Sequence, residues 1–551
     1  MSNEPTRFKV VSKKHLNALA NRRKFLAGSA AGLATMGIST GGFASPSRQM
    51  SFARAQSDEA LEIIIATLGE APNINPFIAQ DSEENWRCVM LFDELVRMDP
   101  VTYEPIPGLA KSWEVDGNVI TLTLNDALYS DGTKLTAADV KFAIEGHLNP
   151  TTGSPRQSMY NKIIGAAEII DGSAEEAAGV VVVDDTTVSI ETVEPDAALL
   201  FNLRFIRPVP MEQVKSKSLS DDPWFQAPIG AGPFKFESWS VGADFVMLRN
   251  ENYFEENKPA ITKVTHRVIA SSDTQVLALV NNEVDASNYP TPTAREQLEQ
   301  NPDLVVMVPP FASPNGWMFN CTHELLGKPE VRRAIAMGLD REQFAADALL
   351  GLGEAGIGPI APDSWAFDPN LEPLPFDPDQ AKQLIKDAGA EGAELKFTVN
   401  AGNVLREDWL IYSEQMLKDI GIVVKPETVE WATMVEAVTV RHEYEVAGGD
   451  WTGVTTEPSA LWDQFHTDGA VNRMSYSNPE LDALLDEVRV TVDTEAAKPI
   501  YAEIQNILVQ EVPFFHAWYR PFLHTTNSRF DNYTDSSEGL FYTLKDWTAA
   551  T

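Results

Sequence analysis

The chain contains several short runs that look like chemistry, and most fail on their surroundings. Gly351-Leu-Gly-Glu-Ala-Gly356 matches G-x-G-x-x-G letter for letter. A dinucleotide cradle needs a strand before that run and a helix N-terminus after it, so that the pyrophosphate meets free backbone N–H groups. Here a helical pattern precedes the glycines and a Pro-rich run follows. His323-Glu324 and His442-Glu443 open like H-E-x-x-H, but positions 327 and 446 are Gly and Val. The second metal ligand is missing. The eight histidines are scattered, and beyond residue 55 there is no G-x-S-x-G elbow or Walker loop. The abundant acids form no obvious general acid/base couple and read as a solvated face. Nothing here predicts an enzyme, a metal centre or a bound cofactor.

The elements that would position a site follow an α/β pattern, with short β-rich runs alternating with amphipathic helices. Strands are predicted at Leu61–Leu68, Val119–Leu124, Val180–Ile190, Phe234–Phe236, Phe245–Leu248 and Val264–Val268. Helices are predicted at Glu84–Val96, from Thr136 as N-cap, and at Val331–Leu350, Gln380–Ala388, Trp409–Ile420, Pro479–Val492 and Ala496–Gln510. The Pro-rich stretch 359–378 reads as a surface excursion. No internal repeat or low-complexity tract appears.

Charge separates a head from a body. The chain has 551 residues with 80 acids and 43 bases, a net of -37. Residues 1–55 hold nine of the bases and one acid, which leaves 34 bases against 79 acids, or -45, on the remainder. Such a body lacks the basic footprint a nucleic-acid binder needs. The head combines Asn21-Arg22-Arg23-Lys24-Phe25-Leu26 with a small-residue apolar run, Ala27 to Ala44, and an A-x-A site at Ala53-Arg54-Ala55. It resembles a twin-arginine export signal, cut after Ala55 or Ala44. No further run of about 18 apolar residues predicts a membrane span. Cys88 and Cys321 can form one bridge at most, or remain free thiols.

Four ordered sets of motifs span nearly all of the body. The first is Asn73-Ile-Asn-Pro76, Leu109-Ala-Lys-Ser-Trp113, Asp131-Gly132-Thr133 and Thr136-Ala-Ala-Asp-Val140. The second is Pro228-Ile-Gly-Ala-Gly-Pro-Phe-Lys-Phe236, Arg249-Asn-Glu-Asn-Tyr253 and Asn282-Glu-Val-Asp285. The third is Phe319-Asn320, Val331-Arg-Arg-Ala-Ile335 and Leu339-Asp-Arg341. The last is Leu417-Lys-Asp-Ile-Gly-Ile422, Glu430-Trp-Ala432 and Val512-Pro513-Phe514. Together they resemble the family 5 extracellular solute-binding proteins, receptors of peptide, nickel and oligosaccharide ABC importers.

The resemblance implies an α/β, two-lobe periplasmic-binding-protein (Venus flytrap) fold with an enlarged N-terminal lobe. Residues 58–317 plus 519–551 would form one lobe and 318–518 the other, after an export signal at 1–55. It implies a monomeric periplasmic protein that captures a peptide, opine or oligosaccharide and hands it to ABC permease subunits, without a cofactor. The rival readings are an exported hydrolase and a chemosensory receptor subunit using the same cleft.

Relatives that bind peptides carry W-x-x-D in the loop matching Gly448–Pro458, where the aspartate pairs with a peptide ammonium. Here Trp451 and Glu457-Pro458 fit, but the aspartate position is Val454. A buried ammonium without a partner is costly, so Asp450 is the available substitute. Trp451 is a candidate stacking platform, with Thr452 beside it. Arg406 lies where relatives place a ligand-facing arginine and can clamp a carboxylate or phosphate. Tyr289, Asn75, Trp317 and Trp518 complete the expected ligand-binding set.

Overall fold

The structure is a computed structural model that describes residues 60–80, 82–308, 313–362, 364–450, 458–469, 471–520, 523–536 and 539–551. The basic head and its export motif lie outside the described residues.

Two sheets carry the chain. The first has seven strands in the order Leu304–Met307, His524–Asn527, Ala286–Ser287, Glu62–Thr67, Lys263–Val268, Asp244–Arg249 and Phe234–Trp239. Glu62–Thr67 runs parallel to Lys263–Val268 and to Ala286–Ser287. Its Ile63, Ile65 and Ala66 are wholly buried, as expected of a parallel strand covered on both faces. An antiparallel four-stranded sheet, Ala110–Asp116, Val119–Leu124, Thr187–Glu191 and Val180–Asp184, belongs to the same stretch of chain. Gly230 and Gly232 are needed for close approach. A Cβ on Gly230 would stand 2.0 Å from the Leu91 carbonyl oxygen, and one on Gly232 would stand 2.4 Å from that of Met90.

The second sheet orders Glu354–Ala355, Phe514–Arg520, Ser313–Phe319, Val446–Asp450, Glu394–Asn400 and Val423–Val429. The chain passes from the first sheet to the second after Met307, and returns after Arg520. Strand directions give this crossing its meaning. In the second sheet, Ser313–Phe319 is antiparallel to both neighbours, and Val446–Asp450 is parallel to Glu394–Asn400. The carboxyl ends at Asn400, Asp450 and Arg520 therefore share one edge with the start of Ser313–Phe319. In the first sheet the carboxyl ends at Thr67, Val268, Ser287 and Met307 likewise share the edge where the crossovers attach. Ligands of open α/β sheets bind at such edges.

Local chemistry moved several element boundaries. The predicted Glu84–Val96 helix is Ser82–Phe92, stopped by Asp93 in the left-handed region (φ 63), and Val96–Met98 is a strand. Val180–Ile190 is a hairpin, turned where Asp184 Oδ1 accepts the Thr186 N–H at 2.8 Å. Val331–Leu350 is two helices, Pro329–Met337 and Arg341–Ala348, because the Asp340 side chain caps the second by accepting the Gln343 N–H. The predicted Trp409–Ile420 helix begins earlier, at Val404, because Asn403 caps it. Cys88 and Cys321 are free thiols, and burial lifts both to about 11.

Candidate functional site

Starting the helix Val404–Asp419 at Asn403 puts Arg406 in its first turn, beside the carboxyl ends of two strands. The Asn403 side chain accepts the Arg406 N–H at 3.2 Å. The Arg406 guanidinium donates from Nη1 to Asn400 Oδ1 at 2.8 Å and from Nη2 to Asp450 Oδ1 at 2.7 Å. Its stem lies over Gly448: a Cβ there would sit 3.5 Å from Arg406 Cδ and 3.5 Å from Trp317 Cζ3. Arg406 is 4% exposed, whereas the Asp450 side chain is 43% exposed. Arg406 Nε is buried and makes no hydrogen bond among the described residues. Arg473 shares this field. Burial lowers its pKa, Asp450 pulls it up and Arg406 pushes it down. Among the described residues the cluster sets both guanidinium groups in the field of the Asp450 carboxylate and leaves Arg406 Nε as a donor that an anionic ligand group can use.

On the edge of the first sheet, Tyr289 follows the strand Ala286–Ser287. Its hydroxyl donates to Glu83 Oε1 at 3.3 Å, and its ring centroid lies 5.9 Å from that of Trp86. Glu83 also pairs with Arg87 at 3.0 Å.

Of the residues expected to line the site, Arg406 and Asp450 are brought into direct contact, and Tyr289 stands at a strand end. Asn75 is spent on the scaffold: its Nδ2 donates to the distant Leu219 carbonyl at 2.7 Å and its Oδ1 accepts the Phe77 N–H at 3.0 Å. Trp317 and Trp518 are packing residues and not ligand residues. Trp317 is fully buried, donates Nε1 to Ser413 Oγ at 3.0 Å and packs edge-on against Phe397. Trp518 is 1% exposed and packs against Trp409 and Phe344. Trp451, Thr452, Val454 and Glu457 lie outside the described residues. Sequence reasoning missed Asn400, Arg473 and Glu83. Asn400 carried a signal, the last residue of the alternating polar and apolar run Glu394–Asn400 just before Ala401-Gly402.

Two sheets with their strand ends turned to a double crossover, and a charged cluster at those ends, define a two-lobe binding protein. The description of bacterial extracellular solute-binding proteins, family 5 (middle), matches residues 104–473, and the chain belongs to that family. It is similar to the oligopeptide-binding protein AppA of Bacillus subtilis, with 24% identity over 89% of this chain and 92% of that one. The solved structure of AppA with a nonapeptide superposes with a TM-score of 0.79, at 23% identity over 89% and 99% of the two chains. NikZ from Campylobacter jejuni, in complex with Ni(L-His), gives 0.78, at 22% identity over 88% and 99%. AgaA from A.tumefacien R10, in complex with agropinic acid, gives 0.79, at 22% identity over 89% and 99%. Among the described residues no helix is long and apolar enough to cross a membrane.

Proposed function

We propose that this chain is the solute-capturing subunit of an ABC importer, and that its solute carries a carboxylate or similar anionic group. Residues 1–55 act as a twin-arginine export signal, and the mature protein works in the periplasm as a monomer without catalysis. The lobes divide where the chain crosses between the sheets, after Met307 and after Arg520, a few residues away from the expected boundaries at 317/318 and 518/519. They close over the solute and present it to the permease.

One observation carries the solute class: the Asp450 carboxylate is already held by Arg406 at 2.7 Å. A peptide ammonium would have to displace that guanidinium and sit beside a second, Arg473. A carboxylate meets the opposite field and an unused donor at Arg406 Nε. Peptide-like and opine-like acids fit this arrangement. A neutral oligosaccharide brings no charge to the Arg406 Nε donor. The names of AppA and AgaA, with their nonapeptide and agropinic acid, support both acid types.

The test is a thermal-shift screen followed by mass spectrometry of the solute released on denaturation. Saturating ligand raises stability by RT ln(1 + [L]/Kd). Opine-type acids and free-acid peptides should stabilise the protein, and their C-terminal amides should not. Equal stabilisation by the amides, or stabilisation by neutral sugars alone, would sink this reading.

A further inference from the structure

The two parts of the chain that carry the two sheets meet at a second set of contacts, centred on Arg489 of the helix Pro479–Val490. That helix buries Leu481, Leu485 and Val488 against the core of the second part. Arg489 falls on the same flank, where an apolar residue is the norm, and it is only 9% exposed.

Its partners explain the placement, and most belong to the other part of the chain. Nη2 donates to the Ser158 carbonyl and to Asn161 Oδ1, both at 3.4 Å. The Arg489 carbonyl accepts the Ala197 N–H at 3.0 Å. Within its own part, the guanidinium carbon lies 4.6 Å from the centroid of the Trp462 ring. Next to it, Ser158 Oγ donates to Asp463 Oδ1 at 3.4 Å. Asp196 feels the same charge: burial pushes its carboxyl up, and Arg489 pulls it down. Without Ser158 and Asn161, the guanidinium would have to find water for those donors or remain unpaired.

We propose that Arg489 is a positioning residue for closure, a latch joining the two lobes independently of any solute. The Nη2 bonds lie at the outer limit of hydrogen-bond length, so the latch is weak enough to release. It requires no ligand atom, which separates it from the Arg406 cluster and from the reading of the solute given above. Affinity then depends on it indirectly. If only a fraction of the protein is binding-competent, the apparent Kd is the intrinsic Kd divided by that fraction. Losing the latch weakens every solute by one common factor and leaves their ranking intact.

The experiment measures the distance between nitroxides at E168C and E503C, one on each part, in full-length solute-free protein carrying C321S. Both sites are exposed. The wild type should show, beside the long distance, a short-distance population that saturating solute enlarges. R489A should move the population to a longer distance, N161A part of the way, and R489K should restore most of the short form. Thermal melts confirm that each variant is folded. The exposed N161A removes an acceptor without touching a core, so it tests the latch even if R489A folds poorly. A solute-free wild type with no short-distance population overturns the proposal. So does an unchanged distribution in folded R489A, or in N161A.

Discussion

The charged groups around Arg97 and those around Arg406 use the same residue types and finish differently. Arg97 Nε donates to Asp93 Oδ1 at 2.8 Å and its Nη2 to the Tyr253 hydroxyl at 2.7 Å, and it also bonds Glu255. Glu255 in turn holds Lys258 at 2.9 Å and Lys545 at 3.1 Å. Burial works against the charge on Arg97, but Asp93, Tyr253 and Glu255 outweigh it and hold its pKa well above the ordinary value. Burial pushes Glu255 up, yet Arg97 and Lys545 hold its carboxyl far below the usual range. Arg406 is as buried as Arg97, but its carboxylate partner is nearly half open to solvent and one of its donors is unused among the described residues. A network that satisfies itself is scaffold. A pair left incomplete at a strand end is where a ligand can complete it.

The largest expected effect tests the closed network. Arg97→Ala should cost about 3–5 kcal/mol in chemical unfolding, because it strands the buried Asp93 carboxylate without its partner. The affinity of the folded protein should be untouched. A loss under about 1 kcal/mol would mean that the network is not a closed unit.

Acid should act next, through histidines buried as neutral rings. Burial, with help from Arg156 and Arg207, lowers His147 to about 3, and burial alone lowers His516 to about 3. The unfolded chain therefore takes up protons first, near pH 6.5, so stability must fall as pH drops from there toward 3. By pH 5 each ring should cost about 2 kcal/mol. Glu94 opposes this over part of the window, since burial raises its carboxyl against the pull of Arg204 and Arg207. His147→Gln should flatten the calorimetric stability profile between pH 7 and 5. An unchanged slope would contradict the assignment.

At the incomplete pair the expectation reverses. Arg406→Ala should weaken an acidic solute at least about tenfold, an effect above about 1.4 kcal/mol. It should change folding stability by only about 1 kcal/mol, because Asp450 can turn to water. Arg406→Lys should not rescue binding, since one ammonium cannot span Asn400, Asp450 and a ligand carboxylate. Isothermal titration beside denaturation separates the two effects.

How much of this was legible depends on whether the controlling partner was near in sequence. The family motifs, the first strand and the capping box at Thr136 with Asp139 are local, and they can be read directly. Arg406 could be suspected only through the family resemblance, which implies a ligand-facing arginine there. Asn75 could not be dismissed, because its acceptor at Leu219 lies 144 positions away. Trp317 and Trp518 misled for another reason. Their sheet is covered on both faces, so alternation along a strand does not distinguish core from cleft. Arg489 was not singled out in the sequence, because its partners Ser158 and Asn161 come from a distant part of the chain.

The smallest expected change is also the most discriminating for the solute. Asp450→Asn keeps an oxygen that can accept from Arg406 and removes the negative charge. Because the side chain is 43% exposed, folding stability should shift by only about 0.5 kcal/mol. The sign of the binding change carries the information. If the pair awaits an anion, neutralising Asp450 removes a competitor for Arg406, and acidic solutes should bind a few-fold more tightly. If Asp450 instead receives an ammonium, the same substitution must weaken binding severely, since a buried cation loses its counter-charge. Titrating an opine-type acid and a free dipeptide against this single variant decides whether the Arg406–Asp450 pair is a site or a finished ion pair.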